Sequence, residues 1–141
     1  MKKLLTLLLS LFVLSIYGFG QYSMAESNGH TIYTCSGNLS MGDYTTGQTY
    51  ILTISSDDPI IKHIKFSITE MLHIPIGDTL YFYDGNSTEA PIITYWENST
   101  SSSQNVQTTL NNGSGCLTLL FTGNHTGASL GTNNISCNFV C

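Results

Sequence analysis

From Tyr50 onward this chain shows short runs whose apolar residues alternate at every second position, and no stretch sustains a helical period. Tyr50, Leu52 and Ile54 fall on one face of an extended segment. In the next run Ile60, Ile64, Phe66 and Ile68 share a face, with His63, Lys65 and Ser67 on the other. Leu80 and Phe82 alternate with Tyr81 and Tyr83, and Leu117, Leu119 and Phe121 make a further inward set. Successive side chains of a strand point to opposite faces, so this spacing buries one face and wets the other. Weaker strands are expected over 31–35, 91–96, 105–110 and 133–140. Asp57-Asp58-Pro59, Asp84-Gly85-Asn86, Asn111-Asn112-Gly113 and Gly123-Asn124 separate the runs with residues that tolerate turn geometry. About seven or eight short strands at this spacing predict an all-β fold, an antiparallel β-sandwich. Residues 98–104 read as a polar loop, and no repeat, linker or second domain is visible.

The amino terminus points to a compartment. Lys2 and Lys3 precede an apolar run from Leu4 to Phe19, the pattern of a secretory signal peptide and too short to span a membrane as a mature element. Small residues at −3 and −1 allow cleavage before Gln21 (Gly18 and Gly20) or as late as before Glu26 (Ser23 and Ala25). The expected division is a signal peptide over 1–20 and a domain over 33–141. Without Lys2 and Lys3, nine acidic residues face only Lys62 and Lys65, a formal charge of −7 (2 minus 9). A surface that acidic repels nucleic-acid phosphates and anionic lipid, and favours metal ions or a partner's Lys and Arg. The mature chain is expected to be exported, with no nucleic-acid partner and no membrane insertion.

Cys35, Cys116, Cys137 and Cys141 are an even set, which in an exported protein reads as two disulfides with three pairings open. Cys35 and Cys141 bracket nearly the whole domain, and Cys116 and Cys137 flank one loop. A Cys116–Cys137 bridge would close about 20 residues, on the order of 3 kcal/mol in loop entropy.

Catalytic chemistry has little to stand on. His30, His63, His73 and His125 are scattered, and none forms a metal-spaced pair. Asn112-Gly113-Ser114-Gly115 lacks the full spacing of a nucleophile elbow, and a strand follows where a helix is needed, so a tight turn is expected. Calcium fits better, because it takes several hard oxygens in irregular geometry that loops at one end of a sandwich can supply. Glu70 lies where one alternating run ends and Asp78 opens the next strand, so an antiparallel return could bring them together. The loop Gly123-Asn124-His125-Thr126 adds an amide oxygen, a backbone carbonyl and a hydroxyl. On spacing alone, two solvated loop carboxylates are the competing reading. Tyr81, Tyr83, Tyr95 and Trp96 are a candidate stacking platform for sugar rings, against the plainer reading of cross-strand packing.

The stretch Asp78-Thr79-Leu80-Tyr81-Phe82-Tyr83-Asp84-Gly85-Asn86-Ser87-Thr88, followed by Ala90-Pro91, resembles the central signature of CUB domains. These are extracellular β-sandwich modules of complement and developmental proteases and of many exported bacterial proteins. Gly42-Asp43-Tyr44 leading into Tyr50–Ile54 resembles the family's opening strand. Ser114-Gly115-Cys116-Leu117-Thr118, Phe121-Thr122 and Ile135-Ser136-Cys137 resemble the C-terminal half of its bacterial branch.

The resemblance implies a CUB-like jelly roll and a calcium site. Glu70 and Asp78 match two acidic ligands of the calcium-binding members, including their separation. Asn124 stands where a third acidic ligand is expected, and Thr126 where a Ser or Asn is. Asn124 keeps an oxygen but drops a charge, which implies weak binding in the high-micromolar to millimolar class of extracellular modules. Ser55 and Ser56 lie where many relatives carry a cysteine. The expected function is an exported, non-catalytic binding module for an unknown extracellular protein or glycan, calcium-dependent through Glu70, Asp78, Asn124 and Thr126. The alternatives are an accessory module of an exported peptidase or other enzyme, and a carbohydrate-binding surface adhesin using Tyr81 and Trp96.

Overall fold

The computed structural model describes residues 20–42, 44–60, 63–68, 72–97, 100–101, 104–124 and 136–141. The alternating runs become strands β4 (Thr49–Ser55), β5 (Lys65–Ile68), β7 (Thr79–Tyr83) and β11 (Cys116–Thr122). The weaker runs become β2 (His30–Tyr33), β8 (Ile92–Glu97), β10 (Asn105–Gln107) and β12 (Ser136–Val140). Four more are formed among the described residues: β1 (Gly20–Ser23), β3 (Ser36–Ser40), β6 (Leu72–His73) and β9 (Thr100–Ser101). The first two escape a periodicity reading for different reasons. Leu39 is the lone large apolar residue of β3, and β1 follows in sequence directly on the apolar run Leu4–Phe19. Among the described residues, the first strand opens at Gly20.

Two five-stranded sheets form, ordered β1-β3-β12-β5-β10 and β2-β4-β11-β7-β8, with β6 and β9 as a separate pair. The interior neighbours pair antiparallel, whereas the edge strands β1 and β2 add in parallel to β3 and β4. Each sheet turns one face inward. The first contributes Leu39, Phe66, Val106, Cys137 and Phe139, and the second Leu52, Ile54, Leu80, Phe82, Trp96, Leu117, Leu119 and Phe121, all buried in one core. Phe66 bridges the sheets, its ring 5.5 Å from Phe82 at 61°, while Phe82 meets Trp96 at 4.3 Å and 62°. Such edge-to-face pairs contribute about 1 kcal/mol each beyond their buried area.

Three expectations are corrected. Ile60 does not share the face of Ile64 and Phe66; it is 87% exposed, held in the Asp58-Pro59 turn by a hydrogen bond from its N–H to Asp58 Oδ1 (2.8 Å). Trp96 is not a surface aromatic but is 6% exposed, because the β7–β8 register sets it opposite the inward Leu80. The cysteines form one disulfide, Cys35–Cys141, and Cys116 and Cys137 are buried free thiols. Cys35 and Cys141 lie one step beyond the Ser36–Val140 pair that ends the β3–β12 ladder, where cross-strand neighbours meet. Cys137 packs in the core from the first sheet, whereas Cys116 belongs to the second sheet and is opposite Ser55. Burial pushes the Cys137 thiol up to about 12, so it is an unreactive thiol at neutral pH.

Candidate functional site

The register of the second sheet brings three chain segments to one end. Thr122 of β11 pairs with Thr49 of β4 on one side and Thr79 of β7 on the other. The residues just outside this row, 44–48, 78 and 123–124, must then converge. Gln48 shapes the first segment, its Oε1 accepting from Thr45 N–H (2.7 Å) and from the Tyr50 hydroxyl (2.7 Å). This loop is tied to the third by Gly123 N–H on Gln48 O (2.8 Å) and by Gly47 N–H on Gly123 O. A Cβ at Gly123 would stand 3.2 Å from the Tyr44 ring, a tight contact that the ring would have to ease by a few tenths of an ångström, so a glycine suits this close approach.

Asp78 sits at this junction with no exposed surface. Its Oδ2 accepts a hydrogen bond from the Tyr44 hydroxyl (2.6 Å), and its Oδ1 accepts one from Asn124 N–H (2.7 Å). Tyr44 is itself buried, its ring edge-on to Phe121 at 4.6 Å and 71°. Burial first, then the hydrogen bond and charge of Asp78, push the Tyr44 phenol far above its ordinary value, so it stays a donor. Taking a carboxylate out of water is costly, and the two hydrogen bonds offset part of that cost.

Of the sequence-derived ligand set, Asp78 and Asn124 are brought together. Asn124 reaches the carboxylate through its backbone N–H, its residue otherwise exposed. Glu70 and Thr126 lie outside the described residues. Among the described residues no three His, Cys, Asp or Glu side chains converge. Tyr44 is the site residue that sequence reasoning did not single out. The Gly42-Asp43-Tyr44 stretch was legible as part of a resemblance, but nothing local says that its phenol reaches a residue 34 positions away.

The opposite end of β7 carries Asp84. Its Oδ1 accepts from Thr109 N–H (3.0 Å) and Asn112 Nδ2 (2.9 Å), and its Oδ2 from the Thr109 hydroxyl. Asn112 also donates to Cys116 O (2.7 Å) and accepts from the Ser114 hydroxyl (2.6 Å). Ser114 is thus held in a tight turn, as expected, with its hydroxyl donating to Asn112.

The outer face of the second sheet carries a cross-strand row: Ile51 opposite Leu120, Leu120 opposite Tyr81, and Tyr81 opposite Tyr95. The Tyr81 and Tyr95 rings are 5.8 Å apart at 37°, and Tyr95 is 52% exposed. Tyr81 therefore has Tyr95, not Trp96, as its surface companion.

No family model and no curated protein matches this sequence. Solved structures do match. The MASP-1 CUB2 domain, crystallised bound to Ca2+, aligns at 12% identity and TM-score 0.57 over 81% of this chain and 99% of its own. The CUB1-EGF-CUB2 domains of rat MASP-1 align at 13% identity and TM-score 0.56 over 82% of this chain, and those of human MASP-1/3 at 10%, 0.59 and 80%. The chain spans 41% of each of these longer fragments and nearly the full length of the isolated CUB2 domain. The likeness shows the fold: this chain is a CUB-like β-sandwich.

Proposed function

We propose that the protein is an exported, non-catalytic binding module whose loops around Asp78 are ordered by calcium. The observation that carries this reading is the fully buried Asp78 carboxylate at the convergence of three segments, braced by the Tyr44 hydroxyl and the Asn124 amide. A buried acidic oxygen at the loop end of a sandwich suits a hard cation, which takes oxygens from separate loops. Glu70, Asn124 and Thr126 are the further donors, and the ion would neutralise the buried charge and tie the loops together. The calcium-bound state of a domain with the same fold supports this assignment. The Cys35–Cys141 disulfide and the signal-like amino terminus support export. The acidic balance of the chain supports a binding role toward cations or a partner's Lys and Arg.

Calcium titration, by calorimetry and by melting temperature, of the wild type and of the Glu70→Gln, Asp78→Asn double variant tests the reading. The wild type should be stabilised and the variant should not; equal responses would overturn the site. Pull-down from the secreted fraction with and without calcium then identifies the partner. One observation favours glycan recognition as a second reading: the Tyr81–Tyr95 pair on the outer sheet face, half-buried at Tyr81 and exposed at Tyr95. Retention on polysaccharide columns that is lost in Tyr95→Ala would support it.

A further inference from the structure

The sequence offers two junctions for removal of the leader, after Gly20 and after Ala25, and both satisfy the need for small residues at −3 and −1. The fold treats the two products very differently, because residues 21–25 are built into the sandwich. Gln21, Tyr22 and Ser23 pair in parallel register with Asn38, Leu39 and Ser40. The ladder extends past the strand through Met24 N–H on Ser40 O (2.9 Å) and Ala25 N–H on Met41 O (3.2 Å).

Side chains follow the backbone inward. Met24 is 1% exposed and belongs to the same core as Leu39, Met41 and Phe139, and Ala25 packs against that core. The Tyr22 ring lies 6.0 Å from Phe139. Gly42, at φ 79°, records the fit from the other side: a Cβ there would stand 2.7 Å from Ser23 Oγ and 3.1 Å from Ala25 Cβ. The following turn is also anchored in this segment, through Ser27 N–H on Ser23 O (2.9 Å).

We infer that processing occurs between Gly20 and Gln21, so that the mature protein begins at Gln21 and keeps β1 and Met24. Among the described residues, cleavage after Gly20 costs the ladder only its terminal Gly20–Gly37 pair. Cleavage after Ala25 removes the edge strand, takes Met24 out of the core and leaves β3 as an uncovered edge. The inference rests on the export reading and adds which of two chemically acceptable bonds is the processing site. It also predicts a covalent signature. An amino-terminal glutamine cyclises when its α-amine attacks its own side-chain carboxamide, forming a lactam C–N bond and releasing ammonia.

The test is intact-mass and amino-terminal peptide analysis of the full chain expressed with its own leader in an exporting host. The expected product begins at Gln21, with or without loss of ammonia. A product beginning at Glu26 overturns the inference while leaving export standing. An unprocessed chain retained in the cells overturns the export reading and this inference with it. Thermal melting of purified chains 21–141 and 26–141 checks the physical cause: the shorter chain, and Met24→Ala in the longer one, should each melt lower by about 10 °C. Equal melting of the two chains would overturn the claim that the fold needs residues 21–25.

Discussion

Strand β7 ends in an aspartate at either side, and the two residues lead different lives. Asp84 is half-buried and accepts three hydrogen bonds, two from Thr109 and one from Asn112, all within a turn network that closes on itself. Asp78 is fully buried and bridges two segments that come from far away in sequence, Tyr44 and Asn124. A carboxylate has room for about four hydrogen-bond partners. At Asp84 donors from a single turn, Thr109 and Asn112, supply most of that demand at a solvated edge, where the charge is also screened by water. At Asp78 the charge is withdrawn from water at the meeting of loops. The same side chain is a turn latch at one end of the strand and the candidate cation ligand at the other, and environment alone makes the difference.

The largest effect should come from Asp78→Ala. The substitution leaves the Tyr44 hydroxyl and the Asn124 amide without their acceptor, and an orphaned buried donor costs about 1–3 kcal/mol. Only the Tyr44 hydroxyl is fully buried, since Asn124 is an exposed residue whose amide water can reach, so a loss of about 3 kcal/mol is expected, read as a lower midpoint in urea unfolding with an unchanged slope. A loss no larger than that of a surface carboxylate would erase the distinction between the two ends.

Tyr44→Phe should come next. It keeps the ring against Phe121 and removes only the 2.6 Å hydrogen bond to Asp78. A bond to a charged acceptor is worth about 1.5–3 kcal/mol, so a loss of around 2 kcal/mol is expected. The pH dependence gives an independent reading. The folded-state phenol of Tyr44 is raised, by burial and then by Asp78, above the unfolded value of about 10. Its contribution is therefore fully present below pH 10 and is lost as pH rises beyond that, since only the unfolded chain then releases the proton. Wild-type stability should fall above about pH 10, and the fall should be shallower in Tyr44→Phe. Parallel alkaline profiles for the two proteins would show that the phenol is not held by the site.

Much of this contrast is foreshadowed in the sequence, though unevenly. Period-two spacing identified the inward residues of β4, β7 and β11, because burial on one sheet face imposes that spacing directly. It could not reveal β3, whose Ser-Gly-Asn-Leu-Ser carries one large apolar residue. Trp96 was within reach of the same logic, since adjacent strand residues cannot share a face, and an outward Tyr95 requires an inward Trp96. Cysteine pairing was not readable, because it depends on which strand ends the fold places side by side. Asp78 and Asn124 were visible as spaced oxygen donors. Tyr44 was not, because its role lies in a contact between a loop and a strand end that only the register of β4, β11 and β7 brings together.

The smallest effect is expected at the latch, and it sharpens the comparison most. Asp84→Asn keeps one carbonyl oxygen for Thr109 N–H and Asn112, and its amide can donate to the Thr109 hydroxyl, which reverses its role. The turn should survive at a cost of about 1 kcal/mol. Its diagnostic value lies in the response to calcium. A ligand at a fivefold excess over its Kd stabilises the folded state by about 1 kcal/mol. That gain should be intact in Asp84→Asn and absent in Asp78→Asn, although both substitutions remove one negative charge flanking the same strand. If the two variants lose the gain equally, calcium is responding to the net acidity of the molecule. If only the Asp78 variant loses it, the ion recognises the loop junction, and the latch at the other end serves the fold alone.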